Sequence, residues 1–140
     1  MYNILLVEDE KETAKIVKEA LELEEMKVDI AYDGKQGLEF FTQNEYDLVL
    51  LDLKMPQMNG EELLIKIRQL NPYIDVIVYT NYSDFADVKK LVNLGINGYV
   101  KKGAEAELAE LIDIIKSKLE PLDEQEMKNL INMTETMKAE

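Results

Sequence analysis

The stretch LVLLD, residues 48–52, is the most informative part of the sequence, because four consecutive apolar residues end on a carboxylate. A strand with one face in water alternates apolar and polar residues, whereas a strand covered on both faces is apolar throughout. Residues 48–51 therefore predict a strand of a parallel sheet with helices on both faces. A carboxylate such as Asp52 is costly to bury without a partner, which disfavours a purely structural role for it.

Four further apolar runs rich in β-branched residues lie at residues 4–7, 28–31, 76–79 and 99–100. Stretches with helical spacing separate them, so strand and helix alternate five times. This alternation predicts an α/β fold with a doubly wound, five-stranded parallel sheet. The predicted apolar faces of the helices include Ile16, Ala20 and Leu23; Leu63, Leu64, Ile67 and Leu70; Val88, Leu91 and Val92; and Leu108, Leu111, Ile112, Ile115 and Leu119.

The last of these helices is predicted to end near Pro121, because proline disfavours helix in the residue before it. Residues 1–120 are thus interpreted as one domain, followed by an acidic C-terminal extension over residues 121–140. This extension places apolar side chains at helical spacing, which favours a sixth, amphipathic helix. A solvated tail is the alternative, since short isolated helices are marginally stable.

Composition excludes several functions. The chain has 29 acidic and 16 basic residues and a formal charge of −13, which disfavours direct contact with nucleic acid or an anionic membrane. It contains no Cys and no His, so thiolate zinc sites, cysteine nucleophiles and histidine bases are excluded. The opening stretch MYNILLV is too short for a signal peptide, and no apolar run reaches membrane-spanning length. We therefore expect a cytoplasmic protein.

Polar residues end the predicted strands. Glu8 and Asp9 follow the first strand, Asp52 the third, and Thr80 ends the fourth, while Lys102 follows the fifth. In an open parallel sheet these carboxyl ends form the ligand site. Three carboxylates at one edge repel each other, and Mg²⁺ with oxygen ligands is the natural compensation.

Such a site suits phosphoryl transfer, in which a carboxylate can serve as the nucleophile. Asp52 is the candidate nucleophile, Lys102 could neutralise phosphoryl oxygens, and the Thr80 hydroxyl could donate to one of them. Two alternatives stay open at this stage. Asp9 and Glu12 have the spacing of a helix capping box, and Lys101 competes with Lys102 for the role of the ammonium.

The acidic pair after the ILLV strand, the string DLKMPQMNG at residues 52–60, Thr80 after VIVY, and the sequence YVKK at residues 99–102 carry a family resemblance. Together they resemble the signature of a response-regulator receiver domain, chemotaxis-regulator-like, of two-component signalling. The resemblance covers about residues 2–119. It implies the strand order 2-1-3-4-5 and a phosphorylation switch rather than an enzyme with an external substrate.

By this resemblance, Asp52 accepts a phosphoryl group from a histidine kinase or phosphotransfer protein. Asp9, Asp52 and the carbonyl of Lys54 would bind Mg²⁺, and Glu8 would contribute to the metal site mainly through water. Thr80 and Tyr99 match the switch pair, which alters the face formed by the fourth helix, fifth strand and fifth helix. That face would bind a downstream protein or a second copy of the chain. Tyr99 could otherwise be an ordinary core residue.

Two residues depart from the family pattern. Gly103 stands where proline commonly follows the lysine, and Asn81 stands where a small residue commonly follows the threonine. Lys54 and Tyr82 occupy positions that, by resemblance, tune the lifetime of the phosphorylated state.

Two other functions compete with the receiver interpretation. An aspartyl-phosphate phosphatase of the haloacid-dehalogenase type would need a second acidic residue where Lys54 stands. A scaffold that keeps the fold without the chemistry would not need Glu8, Asp9, Asp52, Thr80 and Lys102 together.

Overall fold

Strands and helices alternate along the chain, as the sequence predicts. The computed structural model describes residues 1–53, 59–80, 85–102, 106–120, 128–129 and 131–132, without the side chains of residues 85–87 and 106. The strands are β1 (Asn3–Val7), β2 (Lys27–Ala31), β3 (Leu48–Leu51), β4 (Asp75–Thr80) and β5 (Gly98–Lys101). The helices are α1 (Lys11–Leu23), α2 (Gly34–Gln43), α3 (Gly60–Leu70), α4 (Phe85–Leu94) and α5 (Ala106–Leu119).

The five strands form one parallel sheet in the order β2-β1-β3-β4-β5. This confirms the predicted fold class and strand order. β3 lies in the middle, where Leu51 is paired with Val7 on one side and with Val78 on the other. The residue that follows β3 therefore lies between the ends of β1 and β4.

The sheet separates two hydrophobic cores. Leu6, Leu50 and Ile77 pack with α1 and α5 in the first core. Val7, Val49 and neighbouring residues pack with α3 and α4 in the second, which α2 also covers. All four side chains of β3 are fully buried. Each contributes about 1.5–3 kcal/mol through removal of apolar surface from water, which explains the uninterrupted apolar run.

The predicted apolar face of α1 is wrong, although the helix itself is confirmed. Ile16 and Leu23 are exposed, and the buried stripe consists of Ala14, Val17 and Leu21. These three residues recur at intervals of three and four, so they lie on one side of the helix. Leu70 of α3 and Val92 of α4 are also exposed, because each lies at the edge of a stripe whose centre faces the sheet.

Two dipeptides that end in glycine, Asp33-Gly34 and Asn59-Gly60, mark the starts of helices. The side chain of Asp33 accepts a hydrogen bond from the amide of Gln36 and caps α2, and Asn59 caps α3 in the same way. The capping role considered for Asp9 is wrong. The residue before α1 is Glu10, which makes no side-chain capping bond.

Only residues 128–129 and 131–132 of the C-terminal extension are described, and they are helical. A helix over residues 121–140, and a domain boundary at residue 120, stay predictions. Within the described part of the chain, no helix is long and apolar enough to cross a membrane.

An acidic candidate site at the carboxyl edge of the sheet

Three carboxylates meet at the carboxyl edge of the sheet. Glu8 and Asp9 follow β1, and Asp52 follows β3, its partner strand. One carboxylate oxygen from each lies within 4.8 Å of the others. Glu8 and Asp52 are buried whereas Asp9 is exposed, so the cluster is open to solvent on the side of Asp9.

The backbone around Asp52 is held on both sides. Its amide donates to the carbonyl of Val7 over 3.0 Å, which extends the pairing of β3 with β1. On the other side, the first residue of α3 is Gly60, whose amide donates to the carbonyl of Leu53 over 3.0 Å. A Cβ atom at Gly60 would lie 2.4 Å from the carbonyl oxygen of Asp52. Only glycine allows α3 to begin this close to the acidic site.

The ammonium of Lys102 reaches both buried carboxylates. It contacts Oε1 of Glu8, and it lies 3.0 Å from Oδ2 of Asp52. The backbone amide of Lys102 donates to the carbonyl of Thr80 over 2.9 Å, which fixes the start of this side chain beside β4. Lys101 is exposed. Of the two lysines considered from sequence, the structure therefore brings Lys102 into the site.

These contacts divide the charge unequally between the two buried carboxyl groups. Burial, followed by a hydrogen bond with Asp52, raises the pKa of Glu8 to about 8. Burial also opposes ionisation of Asp52, but hydrogen bonds from Glu8 and Lys102 outweigh it and lower the pKa of Asp52. Burial opposes the charge on Lys102 as well, but hydrogen bonds to Glu8 and Asp52 raise its pKa. Without a metal ion, Asp52 therefore ionises more readily than Glu8.

The residues present fit a divalent cation. Oε2 of Glu8 is buried, and no hydrogen-bond partner for it lies among the described residues. A carboxylate oxygen in this position, beside a second carboxylate, is satisfied by a proton or by a cation. The cluster offers oxygen ligands only and has an open side for water, as Mg²⁺ requires. Lys54, the remaining predicted ligand, lies outside the described residues.

Thr80 and Tyr99 face the same side of the sheet, since Tyr99 is paired with Val78, two residues before Thr80. Thr80 ends β4 and is buried, and its hydroxyl makes a hydrogen bond that helps to lower the pKa of Asp52. Tyr99 of β5 packs its ring against the second core, beneath α3 and α4. The structure thus places Thr80 in the acidic site and Tyr99 in the core behind it. The family departures at Asn81 and Gly103, together with Tyr82, lie outside the described residues.

One aromatic neighbour of the site, Tyr79, was not predicted from the sequence. Tyr79 precedes Thr80 on β4 and faces the opposite side of the sheet, towards the first core. The ammonium of Lys102 lies over its ring, 5.3 Å from the ring centroid. The alternation of side chains along β4 could have placed Tyr79 on this face, but not at this distance from Lys102.

The fold and site define a class of signalling protein. Residues 4–116 match the family model described as the response regulator receiver domain, and the chain belongs to this family. Receiver domains act in two-component systems as signalling switches, and Mg²⁺-dependent phosphorylation is general to the family.

Individual relatives agree with this assignment. The response regulator ArlR of Staphylococcus saprophyticus is 41% identical over 133 residues, which cover 95% of this chain and 58% of the relative. A CheY-like receiver domain protein from Methanospirillum hungatei superposes with a TM-score of 0.80 at 32% identity, covering 85% of this chain and 94% of the other. The response regulator TrrA from Thermotoga maritima, solved in complex with Mg²⁺–BeF, superposes with a TM-score of 0.77 at 33% identity. The match covers 85% of this chain and 100% of TrrA. The chain spans about half the length of the curated relatives it matches.

Proposed function

We propose that Asp52 is the phosphoacceptor of this receiver domain, and that it takes its phosphoryl group from the phosphohistidine of a kinase or phosphotransfer protein. A carboxylate oxygen of Asp52 attacks the phosphorus atom while the bond from phosphorus to the donor nitrogen breaks. The electron pair of that bond returns to the imidazole. The observation that carries the proposal is the position of Asp52, buried between Glu8, Lys102 and Thr80 at the end of the central strand.

Asp52 is the best placed of the three carboxyl groups to act as the nucleophile. Hydrogen bonds lower its pKa despite burial, whereas burial raises the pKa of Glu8, so Asp52 ionises more readily than Glu8. Asp9 is exposed at the rim of the cluster. The attacking carboxylate of Asp52 lies beside a buried ammonium and a hydroxyl. Both groups can donate hydrogen bonds to phosphoryl oxygens in the transition state.

Lys102 and Thr80 would act on the transferred group. The ammonium of Lys102 lies 3.0 Å from Asp52 and would neutralise charge on a phosphoryl oxygen. The Thr80 hydroxyl, which contacts Asp52 in this state, would move to a second phosphoryl oxygen. Neither group needs to give up a proton in this role.

Glu8, Asp9 and Asp52 would hold the Mg²⁺ ion, with the carbonyl of Lys54 as the further ligand that the sequence predicts. When bound, the ion supplies positive charge to the phosphoryl oxygens and lowers repulsion between the carboxylates. The Mg²⁺–BeF complex of TrrA supports this assignment, because the two chains share the fold at 33% identity.

The switch would run from Thr80 to Tyr99 and to the face formed by α4, β5 and α5. Exposed residues on this face include Lys89 and Val92 of α4 and Lys101 of β5. We propose that the partner is a downstream protein or a second copy of the chain. The net charge of −13 disfavours nucleic acid or a membrane as the direct partner of this domain, whose expected location is the cytoplasm.

The test is the intact mass of the protein after incubation with acetyl phosphate, with and without Mg²⁺. We expect a gain of one phosphoryl group that requires Mg²⁺ and that is absent in Asp52→Asn. Asp113→Asn, an exposed change on α5, is the matched control and should be phosphorylated like the wild type. Full phosphorylation of Asp52→Asn would show that the acceptor is another residue.

A second arm measures Mg²⁺ affinity directly. Asp9→Ala removes an exposed carboxylate of the cluster and should weaken Mg²⁺ binding about tenfold or more. Glu10→Ala removes the neighbouring exposed charge outside the cluster and should change the affinity little. Equal effects of the two variants would argue for general electrostatic attraction rather than a ligand role of Asp9.

A further inference from the structure

The ring of Tyr79 makes a cation–π contact with the ammonium of Lys102. The ammonium lies over the tyrosine ring at 5.3 Å from its centroid, while it also contacts Glu8 and Asp52. Tyr79 lines a narrow gap beneath these two carboxyl groups, together with Thr13 of α1. The ring therefore borders the acidic site from the face of the first core.

Lys102 needs such a contact because its side chain is long and its other contacts change during the reaction. A lysine side chain has four rotatable carbon–carbon bonds and holds its charge at a point. A metal ion held by Glu8 and Asp52 would compete with the ammonium for these carboxylates and would weaken their pull on it. The attraction of an aromatic ring for a cation does not depend on those charges.

The sequence adds a second reason. Gly103 follows Lys102 where the receiver pattern commonly has proline, and glycine restricts a backbone less than proline does. A contact at the end of the side chain can offset freedom at its base.

We propose that Tyr79 is a positioning residue for phosphoryl transfer, and that its ring holds the ammonium of Lys102 at the height of the incoming phosphoryl oxygen. The inference rests on the proposed role of Asp52. The ring rather than the hydroxyl carries the effect. Burial, together with the charge of Glu107, raises the pKa of the Tyr79 hydroxyl. The hydroxyl therefore stays protonated and carries no charge that could attract the ammonium.

The first measurement uses the metal-free protein and needs no phosphorylation. The ε-methylene protons of Lys102 should resonate upfield of those of the other lysines, because they lie in the shielding region of the Tyr79 ring. Lys102→Arg removes the signal and assigns it. We expect Tyr79→Leu to abolish the upfield shift and Tyr79→Phe to keep it. A Lys102 signal at the position of the exposed lysines in the wild-type protein would overturn the proposal, whether or not the Leu variant folds.

The second measurement is the rate of phosphorylation by acetyl phosphate at saturating Mg²⁺. Tyr79→Leu should slow it about 3- to 10-fold, the range expected for loss of a partly buried cation–π contact, and Tyr79→Phe should restore the rate. Ile77→Val is the matched control, because it loosens the same core from the same face of β4 and leaves the ring in place. An equal slowing in Ile77→Val, or no slowing in Tyr79→Leu, would overturn the proposal.

The two measurements separate this inference from the proposed function. If no variant, including the wild type, gains a phosphoryl group, the assignment of Asp52 fails. The NMR shift still decides whether the ring holds the ammonium. If Asp52 is phosphorylated and Tyr79→Leu changes neither shift nor rate, only the inference about Tyr79 fails.

Discussion

Gly60 and Asp52 are in backbone contact: a Cβ atom at Gly60 would lie 2.4 Å from the carbonyl oxygen of Asp52 and 2.6 Å from Cα of Leu53. The first turn of α3 thus fixes the position of the backbone at Asp52, the proposed phosphoacceptor. The atoms that a methyl group would meet belong to the backbone, so they cannot turn aside as a side chain could.

The first prediction follows from this contact. Gly60→Ala should slow phosphorylation and destabilise the fold by about 1–3 kcal/mol, because the backbone at Asp52 must shift. Gly37→Ala is the control, since its Cβ would meet only side-chain atoms of Leu63 and Val7, at 3.1 Å. Urea unfolding together with the phosphorylation rate checks both variants. A harmless Gly60→Ala would mean that α3 does not fix the position of Asp52.

The second prediction concerns pH and Glu8. The folded-state pKa of Glu8 is raised to about 8 from an ordinary value of 4.5. The folded protein therefore binds a proton that the unfolded chain has lost, so this group makes the metal-free protein less stable as pH rises from about 5 to 8. Glu8→Gln keeps the shape without the titration and should flatten this part of the pH profile.

The size of the effect gives the test. Relative to the wild type, Glu8→Gln should gain roughly 1–3 kcal/mol between pH 5 and pH 8 in metal-free buffer. The sequence has no His, so no imidazole titrates in this window. Urea unfolding at several pH values measures the difference. A constant difference between the two proteins would show that Glu8 is ionised throughout this range.

The third prediction compares the two neighbouring lysines. Lys102→Ala removes the ammonium that contacts Glu8 and Asp52 and should slow phosphorylation at least about tenfold. Lys101→Ala, an exposed change one residue earlier, should leave the rate unchanged. The rate of mass increase with acetyl phosphate distinguishes them. If Lys101→Ala has the larger effect, the assignment of the ammonium is wrong.

The fourth prediction concerns Arg68, at the opposite edge of the sheet. Its guanidinium donates to the carbonyls of Gly95 and Ile74 and to the side chain of Asn97. It thereby joins the end of α3 to the segments that lead into β4 and β5. Arg68→Ala should cost about 2–4 kcal/mol of stability without changing the phosphorylation rate under native conditions.

Lys66→Ala, an exposed change on the same helix, controls for helix propensity and for loss of one positive charge. Urea unfolding measures both variants. A stability loss in Lys66→Ala equal to that in Arg68→Ala would mean that the contacts of the guanidinium contribute nothing.

The sequence predicted the architecture well because apolar runs such as residues 48–51 have one physical explanation, burial from both sides. The sequence did not predict which face of α1 is buried, since Ile16 and Leu23 are also apolar and only packing decides which stripe faces the sheet. The residue that precedes α1 was not predicted either, because Asp9 and Glu10 are both acidic and the sequence does not say which of them lies there.

The candidate site was predictable to the extent that it depends on topology. Parallel strands bring Glu8, Asp52 and Thr80 to one edge, whatever the details of packing. The contact between Tyr79 and Lys102 was not predictable, because it depends on the path of one flexible side chain. The role of Gly60 was only partly predictable. The sequence shows a glycine at this position, but it does not show that the glycine is needed for contact with the backbone of Asp52.

The contact between Lys102 and Glu8 joins residues that are 94 positions apart, and the one between Lys102 and Asp52 spans 50 positions. No fragment that lacks either β1 or β5 can form the contact between Lys102 and Glu8. This contact can therefore form only when β1 and β5 have both joined the sheet, late in any order of folding that starts from local contacts. Competence for phosphorylation would then report complete folding of the domain, and a kinase presented with a partly folded chain would find no acceptor site.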